Sequence, residues 1–277
     1  MKRKLTKSLI LTISAVLLAA LFNACTTPAS NSATPAASSP ATTEQASAPR
    51  QRYLVIATRV KPEMMTQFRE FYQKETLPAQ QKAGLKRQSV WTTATLGEGF
   101  EYITIRPIEG LQEFDEPNLI TKALGEEGAR KWGAKRGAMI VSSRSYIMQA
   151  RPELSISPDP NAVPKLAFVS RASIAPGRST EFENYVKNDV LPIVKKTNPK
   201  GHLVTKVTTG GDTEEYISAT LLDSFADFEK WGAALAKEGY GNIVAKRAGI
   251  VMRREMAVYR YVPELSLPQP TAQQAGK

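Results

Sequence analysis

The sequence predicts an α+β fold made twice over: two tandem β-α-β-β-α-β units whose sheets pack together as a pseudo-dimer. Three observations predict it. The first is repetition. Residues 54–59 read Leu-Val-Ile-Ala-Thr-Arg and residues 166–171 read Leu-Ala-Phe-Val-Ser-Arg. Pro62, Thr66, Phe68, Leu77-Pro78, Lys82, Glu101-Tyr102-Ile103 and Phe114 recur 114 residues on, as Pro176, Thr180, Phe182, Leu191-Pro192, Lys196, Glu215-Tyr216-Ile217 and Phe228. Ala134-Lys135-Arg136 and Pro152-Glu153-Leu154-Ser155 recur 111 residues on, as Ala245-Lys246-Arg247 and Pro263-Glu264-Leu265-Ser266. Identities at two fixed offsets mark an internal duplication. The second observation is that hydrophobic periodicity switches between strand and helix spacing in the same order in both copies. The third is that such a unit covers one sheet face with helices and leaves the other bare, so each copy needs its twin.

The elements follow in order. Tyr53–Val60 and Leu166–Ile174 are aliphatic and β-branched and read as buried strands. Pro62 and Pro176 sit where a first helical turn accepts proline. Phe68, Tyr72, Thr76, Ala79 and Ala83 keep helical spacing, as do Phe182, Val186, Val190, Ile193 and Thr197, so one face of each helix packs on the sheet. Gly84 and Asn198-Pro199 end these helices. Two strands follow in each copy, about 86–95 with 101–106, and 203–209 with 215–222. Gly97-Glu98-Gly99 and Gly210-Gly211-Asp212 between them predict hairpins. A glycine-interrupted helical region covers about 111–136 and 224–247, and strands at about 139–148 and 250–261 close each unit. The repeats are thus 53–155 and 164–266, joined by the turn-rich 156–163, with a loose tail at 267–277.

Ahead of the repeats the chain is of another kind. Residues 1–25 read as an export signal: a basic head of Lys2, Arg3, Lys4 and Lys7, then an apolar core of 15 residues from Ser8 to Phe22. That core is shorter than the roughly 18–20 residues that span a bilayer. It ends at Leu21-Phe22-Asn23-Ala24-Cys25, which resembles a bacterial lipoprotein signal with Cys25 as the residue to be lipidated. Cys25 is also the only cysteine, and an exported protein seldom keeps one unpaired thiol. In 26–50, 21 of 25 residues are Ala, Ser, Thr or Pro, a composition that cannot bury enough apolar surface to order itself and reads as a disordered tether. The expected location is the periplasm or cell surface, with the membrane reached through the lipid on Cys25. The chain carries 37 Lys and Arg against 26 Asp and Glu, net +11, and the four basic residues of the signal leave +7 beyond it. The remaining basic residues are scattered pairs, so nucleic acid is not an expected partner.

The β-α-β-β-α-β order is the ferredoxin-like unit. The strand–Arg opening, the first helix ending in Leu77-Pro78…Gly84 or Leu191-Pro192…Pro199, and the tandem repetition together resemble the dimeric α+β barrel superfamily, with its antibiotic-biosynthesis monooxygenase-like, EthD-like and NIPSNAP-like families. The resemblance covers nearly all of 53–266. It implies a closed pseudo-dimeric barrel in one chain. It also implies that some members are cofactor-independent oxygenases, in which an electron-rich substrate meets O2 in an apolar pocket.

Chemistry-bearing residues are few. His202 is the single histidine, at a strand start beside Gly201, where an exposed and inert side chain is expected. It offers no partner for a zinc site, a facial triad or a His-bearing triad, and no framework for haem, so no metal and no cofactor is expected. No glycine spacing matches a phosphate loop. Alternation places Tyr102, Thr104 and Arg106, and Tyr216, Ser218 and Thr220, on the barrel side, with Ile103, Ile105 and Ile217 under the helices. Trp91 on a second strand, and Arg59, Arg144, Arg171 and Arg254 on outer strands of their sheets, join that set. The candidate ligand-binding residues are Arg59, Trp91, Tyr102, Arg106, Arg144, Arg171 and Tyr216, suited to an aromatic or anionic molecule. An alternative is structural: Arg59 with Glu101 and Arg171 with Glu215 as cross-strand pairs, and Tyr102 and Tyr216 as anchors of the two-fold. Trp91 aligns with Thr205, Arg106 with Thr220 and Arg144 with Glu255, so a pocket is expected to favour the first copy. The function expected from this inventory is a non-catalytic, membrane-tethered barrel that binds a small ligand or a partner. The alternative is a cofactor-independent monooxygenase-like enzyme.

Overall fold

The computed structural model describes residues 50–159 and 164–268. The signal, nearly all of the tether and the last nine residues therefore lie outside the described residues. Eight strands form one closed antiparallel barrel: β1 Arg52–Val60, β2 Ser89–Thr93, β3 Glu101–Ile108, β4 Ile140–Ala150, β5 Leu166–Ile174, β6 His202–Thr209, β7 Glu215–Leu222 and β8 Val251–Tyr261. The order around the barrel is β1-β3-β2-β8-β5-β7-β6-β4, with β4 returning to β1. Each copy supplies four contiguous strands. The seams are β2 on β8, with Trp91 opposite Tyr261, and β4 on β6, with Gln149 opposite Lys206. The two sheets thus join edge to edge as well as facing each other, which leaves no free edge.

The helices lie outside. In the first copy α1 Met65–Phe71 runs through a wide π turn, Tyr72–Thr76, into α2 Leu77–Lys82. In the second, α4 Ser179–Tyr185 runs through Val186–Val190 into α5 Leu191–Lys196. The sequence predicts a plain helix here, and the proline explains the widening. Pro78 and Pro192 have no N–H to donate and their rings crowd the carbonyl four residues back. The π bond from the preceding N–H, Leu77 to Tyr72 and Leu191 to Val186, opens the turn at that point. Gly84 and Asn198, at matching positions, both adopt positive φ and end the helix, as expected.

The second helical regions differ between copies. In the first, α3 Leu119–Met139 starts at Asn118, whose Oδ1 accepts from the N–H groups of Ile120 and Thr121, and breaks at Gly125 (φ 69°). In the second, α6 Phe225–Lys237 starts at Ser224, Gly239 takes a left-handed conformation, and the short α7 Tyr240–Ile243 leads back to β8. The change of offset from 114 to 111 falls in this region.

The inside–outside assignment on β3 and β7 is the reverse of the one expected. Ile103, Ile105 and Ile217 belong to the cluster that fills the barrel, with Val55, Ala57, Tyr146, Met148, Val207 and Tyr259. Tyr102 and Tyr216 lie under the helices instead, their rings against Phe68 (5.2 Å) and Phe182 (4.7 Å). An eight-stranded barrel is just wide enough to be filled by side chains, so it takes the branched aliphatics itself. Leu267, at the head of the expected tail, is buried, and its N–H donates to the carbonyl of Gln88 (2.8 Å).

Candidate active site

Among the described residues, two pockets bring polar and aromatic side chains together. The first is one mouth of the barrel, an opening of about 640 Å³. Three of the expected residues, Arg59, Arg144 and Arg171, meet there with Glu98, Glu101, Glu255 and Tyr259. Most of these groups satisfy one another. Arg171 makes a bidentate pair with Glu215 (2.8 and 2.7 Å), the cross-strand pair the alternation suggests, and also donates to the Tyr146 hydroxyl (3.3 Å). Arg59 pairs with Glu98 on the β2–β3 turn (3.3 Å) and not with Glu101, whose carboxylate accepts from Tyr259 (2.8 Å). Arg144 stacks over Tyr146, 5.4 Å from the ring centre. Burial raises the pKa of both Tyr146 and Tyr259, so both hydroxyls stay protonated. Trp91 faces the same interior, its ring 5.2 Å from Tyr261 and its Nε1 donating to Ser89. Of the other expected residues, Arg106 lies on the helix side and pairs with Glu113 (2.8 Å). Tyr216 donates to Glu183 under the helices of the second copy (2.5 Å).

The second place is a cavity of about 270 Å³ between the sheet of the second copy and its helices. Its floor is the outer face of β5, β6 and β7, including Ser170, His202, Tyr216 and Thr220; α4, the π turn after it, α5 and α6 roof it with Phe182, Val186, Val190, Val194 and Trp231. One end is polar, formed by Tyr185, Tyr240, Arg247 and Arg254. The sequence predicts no pocket at this place in the second copy.

The duplication explains why. Where the second copy has Val186 the first has Tyr72, and where it has His202 the first has Gln88. Both first-copy residues are buried, and Gln88 Nε2 donates to the Tyr72 hydroxyl (2.9 Å), so a hydrogen-bonded pair occupies the corresponding space. In the second copy Val186 replaces the tyrosine ring, the hydrogen-bonded pair is lost, and the walls stay apart. That large-to-small exchange on an otherwise repeated helix face was the signal available in the sequence.

His202 is therefore neither exposed nor peripheral. It is 6% exposed, its Nδ1 shares a 2.9 Å hydrogen bond with Thr220 Oγ1, and burial lowers its pKa to about 4. It is a neutral imidazole at pH 7. Tyr185 is 7% exposed, and its hydroxyl has no hydrogen-bond partner among the described residues. Burial pushes its pKa up to about 12, against the opposing pull of Arg247 and Arg254. Leaving a hydroxyl buried and unbonded costs on the order of 1–3 kcal/mol. The cavity thus offers an apolar, aromatic body, one neutral imidazole and one protonated donor beside two arginines.

No family model and no curated protein matches the chain. Among solved structures the fold is similar to a candidate monooxygenase from Lactobacillus acidophilus NCFM, at 8% identity, with 79% of this chain and 97% of that one covered and a TM-score of 0.51. It is similar too to an anthrone oxidase-like protein, at 12% identity, with 77% and 92% covered and a TM-score of 0.52. Likeness at this depth establishes the fold, the dimeric α+β barrel that the repeats predict. It also corrects the expectation of a non-catalytic binding barrel. The two solved barrels it resembles are described as a monooxygenase and as anthrone oxidase-like.

Proposed function

We propose that this chain is a cofactor-independent, monooxygenase-like enzyme that oxidises an electron-rich aromatic molecule in the cavity of its second copy. The carrying observation is that cavity: aromatic and aliphatic walls around a neutral His202 and a buried, unbonded Tyr185 hydroxyl. Such a reaction needs little from the protein. The substrate loses a proton, and the resulting anion gives one electron to O2. The substrate radical and superoxide combine as a peroxide, and loss of water leaves a carbonyl. Per turnover a ring CH2 becomes C=O, one oxygen atom enters the product and the other leaves as water. His202 suits proton acceptance, because its imidazole is neutral and a substrate anion beside it would stabilise the protonated ring. The Tyr185 hydroxyl suits the developing oxyanion, in a cavity walled mostly by apolar side chains. Export and attachment through a lipid on Cys25 belong to the same proposal; they rest on the signal-like 1–25 and the tether, outside the described residues.

Anthrone, the compound in the name of one similar structure, is a suitable probe. Oxygen uptake and anthraquinone formation should exceed uncatalysed autoxidation with the full chain and return to the background rate with Val186→Tyr. No acceleration by the wild-type chain with anthrone or with a set of hydroquinones overturns the proposal.

A further inference from the structure

The polar end of the cavity carries more positive charge than its own packing uses. Arg247 and Arg254 both line it, and neither forms an ion pair among the described residues. Arg254 is held in place by a neutral partner, its Nε donating to Ser170 Oγ at 2.7 Å. Asp189, whose charge reaches Tyr185, is engaged by Lys246 at 2.6 Å. The Tyr185 hydroxyl adds a donor with no acceptor. All three groups are donors, and a half-buried pair of guanidinium groups is costly to leave without a counter-charge.

The first copy shows that this charge is not a requirement of the fold. Arg136 stands at the position of Arg247, and there it turns to the hydroxyls of Thr58 (3.1 Å) and Ser143 (2.8 Å). Ser143 in turn stands where the second copy has Arg254. The first copy therefore has one arginine with two hydroxyl partners, and the second has two arginines facing an open cavity. The additional charge appears in the copy that has the space.

We propose that the substrate is an aromatic carboxylate, its ring system against Trp231, Phe182 and the valines and its carboxylate between Arg247 and Arg254. The Tyr185 hydroxyl donates to the same carboxylate or to the ring oxygen beside it. Arginine suits this group because its planar fork meets both carboxylate oxygens. This rests on the reading of the cavity as the active site and adds the charge of the molecule it takes. Asp189 and Glu183, on the π turn and α4, are already paired, with Lys246 and with Arg151 and Tyr216, so they do not compete for the two arginines.

The test uses the full chain and two probes with the same ring, 1-naphthoate and 1-naphthalenemethanol, with binding followed by calorimetry. The wild-type chain should bind the carboxylate at least about 10-fold more tightly, roughly the effect of one charge-assisted contact. Arg254→Ser, the residue of the first copy, should abolish that preference and leave binding of the alcohol within about 2-fold. Val186→Tyr should remove both. The proposal is overturned if the alcohol binds as well as the carboxylate, if neither binds, if Arg254→Ser keeps the preference, or if Val186→Tyr leaves it intact. Naphthoate binding that depends on Arg254 without any anthrone oxidation keeps this inference and removes the oxygenase reading alone.

Discussion

Leu154 and Leu265 occupy equivalent positions in the two repeats, and each is buried in the core of the other copy. Leu154, at the end of the first repeat, packs with Phe182, Tyr185 and Val186; Leu265, at the end of the second, packs with Phe68, Tyr72 and Val90. They are 1% and 0% exposed. Ser155 and Ser266 repeat the exchange in hydrogen bonds, accepting from the N–H groups of Val204 and Val90. Each half is therefore completed by the other. Residues 51–158 alone should be insoluble or should form a homodimer that restores the missing leucine. A monomeric, cooperatively folded fragment, seen by sedimentation and thermal melting, refutes this. In the full chain Leu154→Ala should cost about 2–5 kcal/mol, with hydrogen exchange rising first in α4 and not in α1.

Val186→Tyr separates cavity from fold. The added ring enters a space of about 270 Å³, and the same residue already occupies the matching space in the first copy. The expected outcome is a melting temperature within a few degrees of wild type and at least a ~10-fold loss of probe binding. Overpacking that costs about 1–3 kcal/mol together with unchanged binding shows that the ligand sits elsewhere.

The sequence carried the architecture because duplication, proline placement and turn glycines are local and repeat. The strands at 166–174 and 215–222 fall at the expected residues. The face of β3 and β7 was not legible. Alternation separates Tyr102 from Ile103 but does not say which side is the barrel, and closure into eight strands decides it by filling the interior. The burial of His202 is hidden for a related reason: a strand start looks exposed in sequence, and the Ile156–His202 bridge from the linker covers it. The cavity needed a comparison of side-chain volume between copies, where Tyr72 against Val186 stands out and residue type alone does not.

Trp91 is better placed to pack than to bind in the second copy. It is half-buried against Tyr261 at the β2–β8 seam. Trp91→Ala should cost about 2–3 kcal/mol, below the fully buried range because the ring is partly exposed, and should leave naphthoate affinity unchanged. Affinity falling with no loss of melting temperature brings Trp91 back as a ligand contact and points to the barrel mouth.

Lipidation is read from the signal-like 1–25 that ends at Cys25 and from the tether behind it. Mass spectrometry of the mature full-length protein should find the chain beginning at a modified Cys25, and Cys25→Ser should release it from the membrane fraction. A serine variant that fractionates with the membrane as wild type does refutes the lipid anchor.

His202 supplies a pH dependence with a definite sign. Its pKa falls to about 4 in the folded chain because burial disfavours the charged ring, against about 6.5 in an unfolded one. Between those values the unfolded state binds the proton and the folded state does not, so stability increases with pH. Stability is lost as pH falls from about 6.5 toward 4, by up to about 3 kcal/mol from this group. Carboxylates add their own loss in the same range, so the wild-type curve alone is not diagnostic. His202→Gln, the residue at this position in the first copy, removes only the histidine's share. Thermal melts from pH 7.5 to 4.5 should therefore show wild type losing more stability than the variant below pH 6.5, with the gap widening as pH falls. Parallel curves refute a buried, neutral His202, and with it the assignment of that ring as the group that accepts the substrate's proton.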